Sequence, residues 1–320
     1  MSVSNILAGS PPLANYGILT GQLFLYSRGR AAFESSPPPL EFCNKKCILL
    51  GGLSDGLLPV PYTSLLEEAC HKHNWSLVQP VLSSSYLGFG NGSLDRDVQE
   101  LEELIHYLSE YRDGTEFAIV GHSTGCQDAI CFLETAAEPV REKVRLVALQ
   151  APVSDREGSE LEEGFFDKLA KAQELVDGGK GQEMLPRSFH WAPITAQRFV
   201  DLHAKGGTDD YFSSDYTDAE LDARLGHVTN QPQHDDLKVL VAFSGSDQYV
   251  PEHVDKLQLT KRMVDAMNGK FANVDSAKTV AEALYIEKGD HNLSGSDEAK
   301  QFVDKFSELL ATINNSSTTK

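Results

Sequence analysis

A chain of 320 residues, 41% hydrophobic and 23% charged, is long and apolar enough for a dry core and reads as one large globular domain or two small ones. Its net charge of −19 argues against nucleic acid or an anionic membrane as partner, since both attract basic surfaces. No stretch approaches the roughly 20 apolar residues of a bilayer span, and no Lys or Arg precedes Arg28, so the start of the chain does not read as a secretory or transit signal. Five cysteines (Cys43, Cys47, Cys70, Cys126 and Cys131), an odd and low number, suit a reducing compartment, and the localisation expected is cytoplasmic. Cys43 and Cys47 could open a metal site, but no second Cys/His pair at zinc-like spacing follows. No metal or other cofactor is expected.

In chain order, the first 40 residues hold one strand candidate, Ile18 to Ser27, before the Pro-rich SSPPPL. Apolar runs then alternate with helical patterns. CILLGGLSDG (Cys47 to Gly56) is a short strand ending in glycines, and Tyr62 to Asn74 carries Leu65, Leu66, Ala69 and Cys70 at helical spacing. A strand from Trp75 to Leu82 precedes a helix from Leu94 to Tyr111, with Leu94, Val98, Leu101, Leu104, Ile105 and Leu108 on one face. Strand FAIVG, a helix from Cys126 to Ala137 and strand VRLVALQAPV follow. Much later come strand LKVLVAFSGSD, strand ALYIEKGDH and a closing amphipathic helix, Glu298 to Ile313. Apolar runs that do not alternate, separated by helices, indicate an α/β fold: a mostly parallel sheet covered on both faces.

One segment breaks the alternation. Residues 154–235 contain no clear core strand and carry 17 Asp+Glu against 8 Lys+Arg, with scattered aromatic residues such as Phe165, Phe189, Trp191 and Phe199. A segment that long is not structureless in a compact domain. It reads as a mostly helical lid inserted into a core formed by 1–153 and 236–320, lying over the C-terminal edge of the sheet where α/β proteins bind ligands. A solvated decoration away from the site is the alternative.

Gly121-His122-Ser123-Thr124-Gly125 fits G-x-S-x-G between a strand and a helix, the setting of a nucleophile elbow. The turn is so tight that only glycine fits two positions either side of the serine, and the helix N-terminus turns N–H groups toward any anion formed there. An acid and a histidine follow in the order this arrangement needs. Asp247 lies just past the strand Lys238 to Ser244, and His291 just past the last strand. Asp290 is an unsuitable acid, because sequence neighbours rarely form the Asp–His bond; Asp215 and Asp235 stay open as alternatives. Gly51-Gly52-Leu53 ends an earlier strand where a second backbone donor is needed, so the N–H groups of Leu53 and Thr124 are the expected oxyanion hole, an ordinary strand-to-helix turn being the other reading. Gly51, Gly52, Ser54, Asp55 and Trp191 are candidate substrate contacts. His122 is expected to pack away from the serine's attack path, and His71, His73, His106 and His253 read as surface residues on helices. One of His190, His203, His227 and His234, all in the insertion, is a candidate substrate contact. In this scheme His291 takes the proton from Ser123, Asp247 orients the imidazole, and an acyl-enzyme forms and is hydrolysed. The sequon Asn292-Leu293-Ser294 abuts His291, where a glycan would obstruct the site, a further argument against secretion.

The whole chain resembles the α/β-hydrolase superfamily. More narrowly, GGLSDGL, GHSTGCQD, LQAPVSDRE and SGSDQYVP resemble a fungal family of siderophore esterases, which hydrolyse ester bonds of ferric fusarinine-type hydroxamate siderophores inside the cell. The resemblance implies a serine esterase with Ser123, Asp247 and His291 as its triad and a small-molecule ester, iron-chelated, as substrate; any iron would arrive within that substrate. It gives no role to Asp155-Arg156, which either anchors the lid or lies near the pocket. A general carboxylesterase or acyltransferase, and a catalytically silent binding protein on the same scaffold, are the rival readings.

Overall fold

Lys45–Leu50 (β3), Glu116–His122 (β5), Val144–Gln150 (β6) and Lys238–Ser244 (β7) are apolar on consecutive residues, so each strand offers side chains to both faces of a sheet. In β3, Ile48 and Leu50 join one buried cluster while Cys47 and Leu49 join another. The computed structural model, which describes residues 16–36, 42–231, 236–271 and 279–317, adds Gly21–Ser27 (β1), Arg30–Ser35 (β2), Trp75–Val81 (β4) and Ala281–Ile286 (β8). The eight strands form one sheet in the order β1-β2-β4-β3-β5-β6-β7-β8. From β4 to β8 every pair is parallel; only the β1–β2 hairpin and its junction with β4 are antiparallel.

Helices Thr63–Lys72 (α1) and, at the C-terminus, Ser296–Ser317 cover one face. Leu94–Tyr111 (α2) and Thr124–Thr135 (α3), with the short Glu138–Arg141 (α4) behind them, cover the other. The bounds of α2 are those read from its periodicity, and the Ser93 side chain caps it by accepting from the Arg96 N–H.

The chain start differs from expectation. β1 begins at Gly21, not Ile18, and a second strand follows it. Hydrophobic pattern does not reveal β2, because its inward positions include Glu34, a fully buried carboxylate. Lys46 Nζ donates to Glu34 Oε1 at 2.6 Å, and Arg112 pairs with its other oxygen. An apolar core accepts such a charge only when it is paired. Truncating Lys46 to alanine is therefore expected to cost about 3 kcal/mol, because Glu34 would stay buried with Arg112 alone; a fall in the urea midpoint at unchanged m-value measures it. The SSPPPL connection lies mostly outside the described residues.

Between β6 and β7 the described chain is helical: Asp155–Ser159 (α5), Phe165–Asp177 (α6), Ala196–His203 (α7) and Asp218–Leu225 (α8). α6 and α7 share a small core of Phe165, Ala172, Leu185, Ile194, Phe199 and Leu202. Arg198 of α7 reaches into the body and is 1% exposed. Its Nη1 donates to Asp209 Oδ2 at 2.7 Å and its Nε to the Phe89 carbonyl at 3.2 Å. With Asp97 of α2 and Asp128 of α3 it lines a cavity of about 30 Å³. Burial raises both carboxyls, Asp97 to about 6, while the charge of Arg198 pulls the other way. The helix expected near His253 is Lys256–Met267 (α9), which starts after that residue and packs Leu259, Met263, Ala266 and Met267 beside β7; the C-terminal helix is α10.

Candidate active site

β5 ends at His122 and α3 begins at Thr124, so a single residue, Ser123, makes the corner. Its φ of 53° and ψ of −122° are strained for a residue with a Cβ. Two glycines allow it. A Cβ on Gly121 would stand 2.3 Å from the Gly125 carbonyl oxygen, and one on Gly125 would stand 2.7 Å from that of Leu50. Neither contact is possible with alanine. The corner lifts Ser123 to the wall of a cavity of about 800 Å³.

His291 lines the same cavity, in the turn after β8. Its Nδ1 lies 2.8 Å from Asp247 Oδ2, and Asp247 is buried in the turn after β7. A carboxylate only accepts, so Nδ1 carries the proton and Nε2 keeps its lone pair. The other Asp247 oxygen accepts the Tyr249 N–H at 3.0 Å. Neighbours fix the rest: Gln150 Nε2 donates to the His291 carbonyl at 3.0 Å, and the His291 N–H donates to Gln248 Oε1 at 3.1 Å. The edge of Tyr249 rests on the His291 ring, centroids 4.6 Å apart. Among the described residues Ser123 Oγ makes no hydrogen bond, which leaves it free in the cavity.

Of the competing acids, Asp290 accepts the Ser294 N–H, Asp215 pairs with Arg156 and Lys205, and Asp235 lies outside the described residues. His122 is buried, with Nδ1 2.7 Å from Gln150 Oε1 and its ring centroid 5.0 Å from that of His291. It supports the site as a polar neighbour and also touches the cavity wall. Burial, with His291 nearby, lowers its pKa to about 3, so it stays neutral.

Gly52, Leu53, Ser54, Asp55 and Trp191 all line the cavity, whereas Gly51 and Thr124 border the smaller one behind it. The Gly52 N–H is taken by Asp55 Oδ2 at 2.8 Å. Thr124 is the first residue of α3, and its cap, Ser123, offers no side-chain bond, so its amide belongs to the unsatisfied helix start. His190 and His203 line the cavity; His227 is not on its wall, and His234 lies outside the described residues. His71, His73 and His106 are at least partly exposed on or beside helices; His253 is exposed but sits in a turn before α9. Asp155 and Arg156 part company. Asp155 faces the cavity and accepts from Gln127 Nε2 at 2.9 Å, while Arg156 pairs with Glu160, Asp210 and Asp215 within the insertion.

More than half of the cavity wall comes from the insertion, chiefly the rings of Phe165, Phe189, His190, Trp191, Phe199 and His203. Trp191, and His190 and His203 among four histidines, are the contacts the sequence offered here; Phe165, Phe199 and His203 reach the wall from α6 and α7, and Phe189, His190 and Trp191 from the connection between them. Burial holds His203 neutral, its pKa lowered to about 3, between the rings of Phe165 and Phe199. Unfolding restores an ordinary imidazole with a pKa near 6.5. The unfolded state then binds the extra proton, so this contribution is present above pH ~6.5 and is lost toward pH 3. Relative to His203→Phe, the wild type is expected to lose up to about 1.4 kcal/mol per pH unit below 6.5, read from urea midpoints between pH 7.5 and 5.

Comparison with known proteins agrees with the fold. The family model described as "Protein of unknown function (DUF1749)" matches residues 10–313. Fusarinine C esterase sidJ of Aspergillus fumigatus is 32% identical across 89% of this chain and 92% of its own. UPF0613 protein PB24D3.06c of Schizosaccharomyces pombe is 34% identical across 71% of this chain and 75% of its own. Among solved structures, siderophore hydrolase EstB from Aspergillus fumigatus superposes with a TM-score of 0.77 at 28% identity, covering 93% of this chain and 98% of that one. The strand order, the corner at Ser123 and these relatives place the chain in the family described as protein of unknown function DUF1749, as an α/β hydrolase with esterases among its kin.

Proposed function

We propose that this ester-hydrolysing enzyme is a serine esterase acting on hydroxamate siderophores of the fusarinine type, with Ser123 as nucleophile, His291 as general base and Asp247 as its orienter. The observation that carries the mechanism is the convergence of a free serine hydroxyl and the Asp247–His291 pair on one cavity. In this reading Ser123 Oγ attacks the ester carbonyl carbon while its proton passes to His291 Nε2. The amides of Leu53 and Thr124 hold the oxyanion, the imidazolium protonates the departing alcohol, and water, activated by the same imidazole, releases the acid. Residues 154–235 act as the lid that supplies the aromatic wall.

The substrate class is supported by the siderophore-directed relatives, similar over nearly the whole chain, and by a cavity large enough for a bulky ester. Iron reaches the site only as part of the substrate. The five cysteines, all free, favour a reducing compartment such as the cytoplasm, and no helix among the described residues is long and apolar enough to cross a membrane. Incubation with ferric fusarinine C and, in parallel, with short-chain p-nitrophenyl esters tests the assignment by mass spectrometry. Hydrolysed siderophore monomers are expected. An intact siderophore beside cleaved simple esters would reduce the assignment to a general carboxylesterase.

A further inference from the structure

The turn after β3 is tied twice by one residue. The Gly52 N–H donates to Asp55 Oδ2 at 2.8 Å, and the Gly52 carbonyl accepts the Asp55 N–H at 3.0 Å. That carbonyl and the Leu53 N–H belong to the same peptide plane and point in opposite directions. With the carbonyl held toward Asp55, the Leu53 N–H must face the other way. The turn lies against the nucleophile, since a Cβ on Gly52 would stand 3.0 Å from Ser123 Cβ and 3.4 Å from its Oγ. Among the described residues the Leu53 amide has no acceptor within the protein. Asp55 is held in turn from outside, its carbonyl accepting the Tyr86 N–H at 2.9 Å.

We propose that Asp55 is a positioning residue that locks the Gly52–Leu53 peptide with its N–H turned into the cavity, keeping the oxyanion site formed before substrate arrives. The carboxylate grips the preceding Gly51–Gly52 peptide through its N–H, and the Asp55 backbone N–H grips the Gly52 carbonyl. Without the carboxylate the first peptide is released, and the Gly52–Leu53 peptide is left on one backbone bond, free to swing its N–H off the cavity. Burial raises the Asp55 pKa, and the Gly52 amide and the nearby His291 oppose that shift. The inference rests on the serine-esterase reading and assigns Asp55 a different job from contact with substrate.

The experiment compares wild type, Asp55→Ala and Asp55→Asn by kcat and KM on p-nitrophenyl butyrate and by the Ki of an alkyl trifluoromethyl ketone, whose hemiketal oxygen occupies the oxyanion site. Asp55→Ala is expected to lower kcat by about 10²-fold with KM within a factor of two and to raise the Ki in proportion. Asp55→Asn, which still offers an oxygen to the Gly52 amide, is expected to recover most of the loss. Should the alanine variant fail to fold, Asp55→Glu takes its place, because its longer arm moves the carboxylate off the amide. A rise in KM at unchanged kcat would make Asp55 a substrate contact and overturn the proposal, as would equal damage in the Ala and Asn variants with unchanged Ki. Ser123→Ala in the same series separates the two layers. If it stays active, the serine mechanism fails; if it is inactive while Asp55→Ala keeps wild-type kcat and Ki, only the positioning role fails.

Discussion

Ser123→Ala is expected to lower ester turnover by about 10⁶-fold while leaving the fold intact. Alanine keeps the Cβ and the same φ of 53°, so the corner between β5 and α3 is no more strained than before. What disappears is the hydroxyl that stands at the corner on the cavity wall, with no hydrogen bond among the described residues. Steady-state rates on p-nitrophenyl butyrate, with labelling by a fluorophosphonate probe, give the measurement, and the label should vanish with the hydroxyl. Retention of more than about one part in a hundred of the rate would remove Ser123 from the reaction.

Asp247→Asn is expected to cost about 10⁴-fold in kcat, and the hydrogen bonds around Asp247 give the reason. One carboxylate oxygen accepts the Tyr249 N–H and the other faces His291 Nδ1. An amide has only one oxygen. The backbone donor has no alternative acceptor and claims it, so the amide NH₂ turns toward the imidazole. Nδ1 must then accept, the proton moves to Nε2, and the ring loses the lone pair that serves as base. A thermal midpoint within a few degrees of wild type, together with a loss mainly in kcat, would support this. An Asp247→Asn variant with near-native kcat would place the orienting role elsewhere.

Much of this architecture is legible in the residues because the physics is local. Consecutive apolar runs made the central strands visible, and the heptad-like spacing of α2 gave both of its ends. The corner at Ser123 could be read because two glycines and a serine allow few other uses at a strand–helix junction. β2 was hidden because one of its buried positions is a charge, whose partners, Lys46 and Arg112, lie on other parts of the chain. α9 carries a clear face in Leu259, Met263, Ala266 and Met267, yet it sits in a polar stretch that hides its start after His253. The cavity wall is the harder case. His190, Phe199 and His203 meet Asp155 only through tertiary packing, and Gln150 reads as an ordinary strand residue although it touches Tyr62, His122 and His291.

The buried guanidinium of Arg198 has a bearing on how molecules reach Ser123. Withdrawing α7 would break the bond from Arg198 to the Phe89 carbonyl and take its charge away from the buried Asp97 and Asp128, so this side of the cavity is costly to open. A cavity costly to open on one side sorts visitors by girth and stiffness before any bond is tested. The exposed Leu161, Trp191 and Tyr249 stand on the wall of the same cavity. Widening that wall at Trp191 or Tyr249 is expected to broaden the range of esters hydrolysed while leaving Ser123, Asp247 and His291 in place.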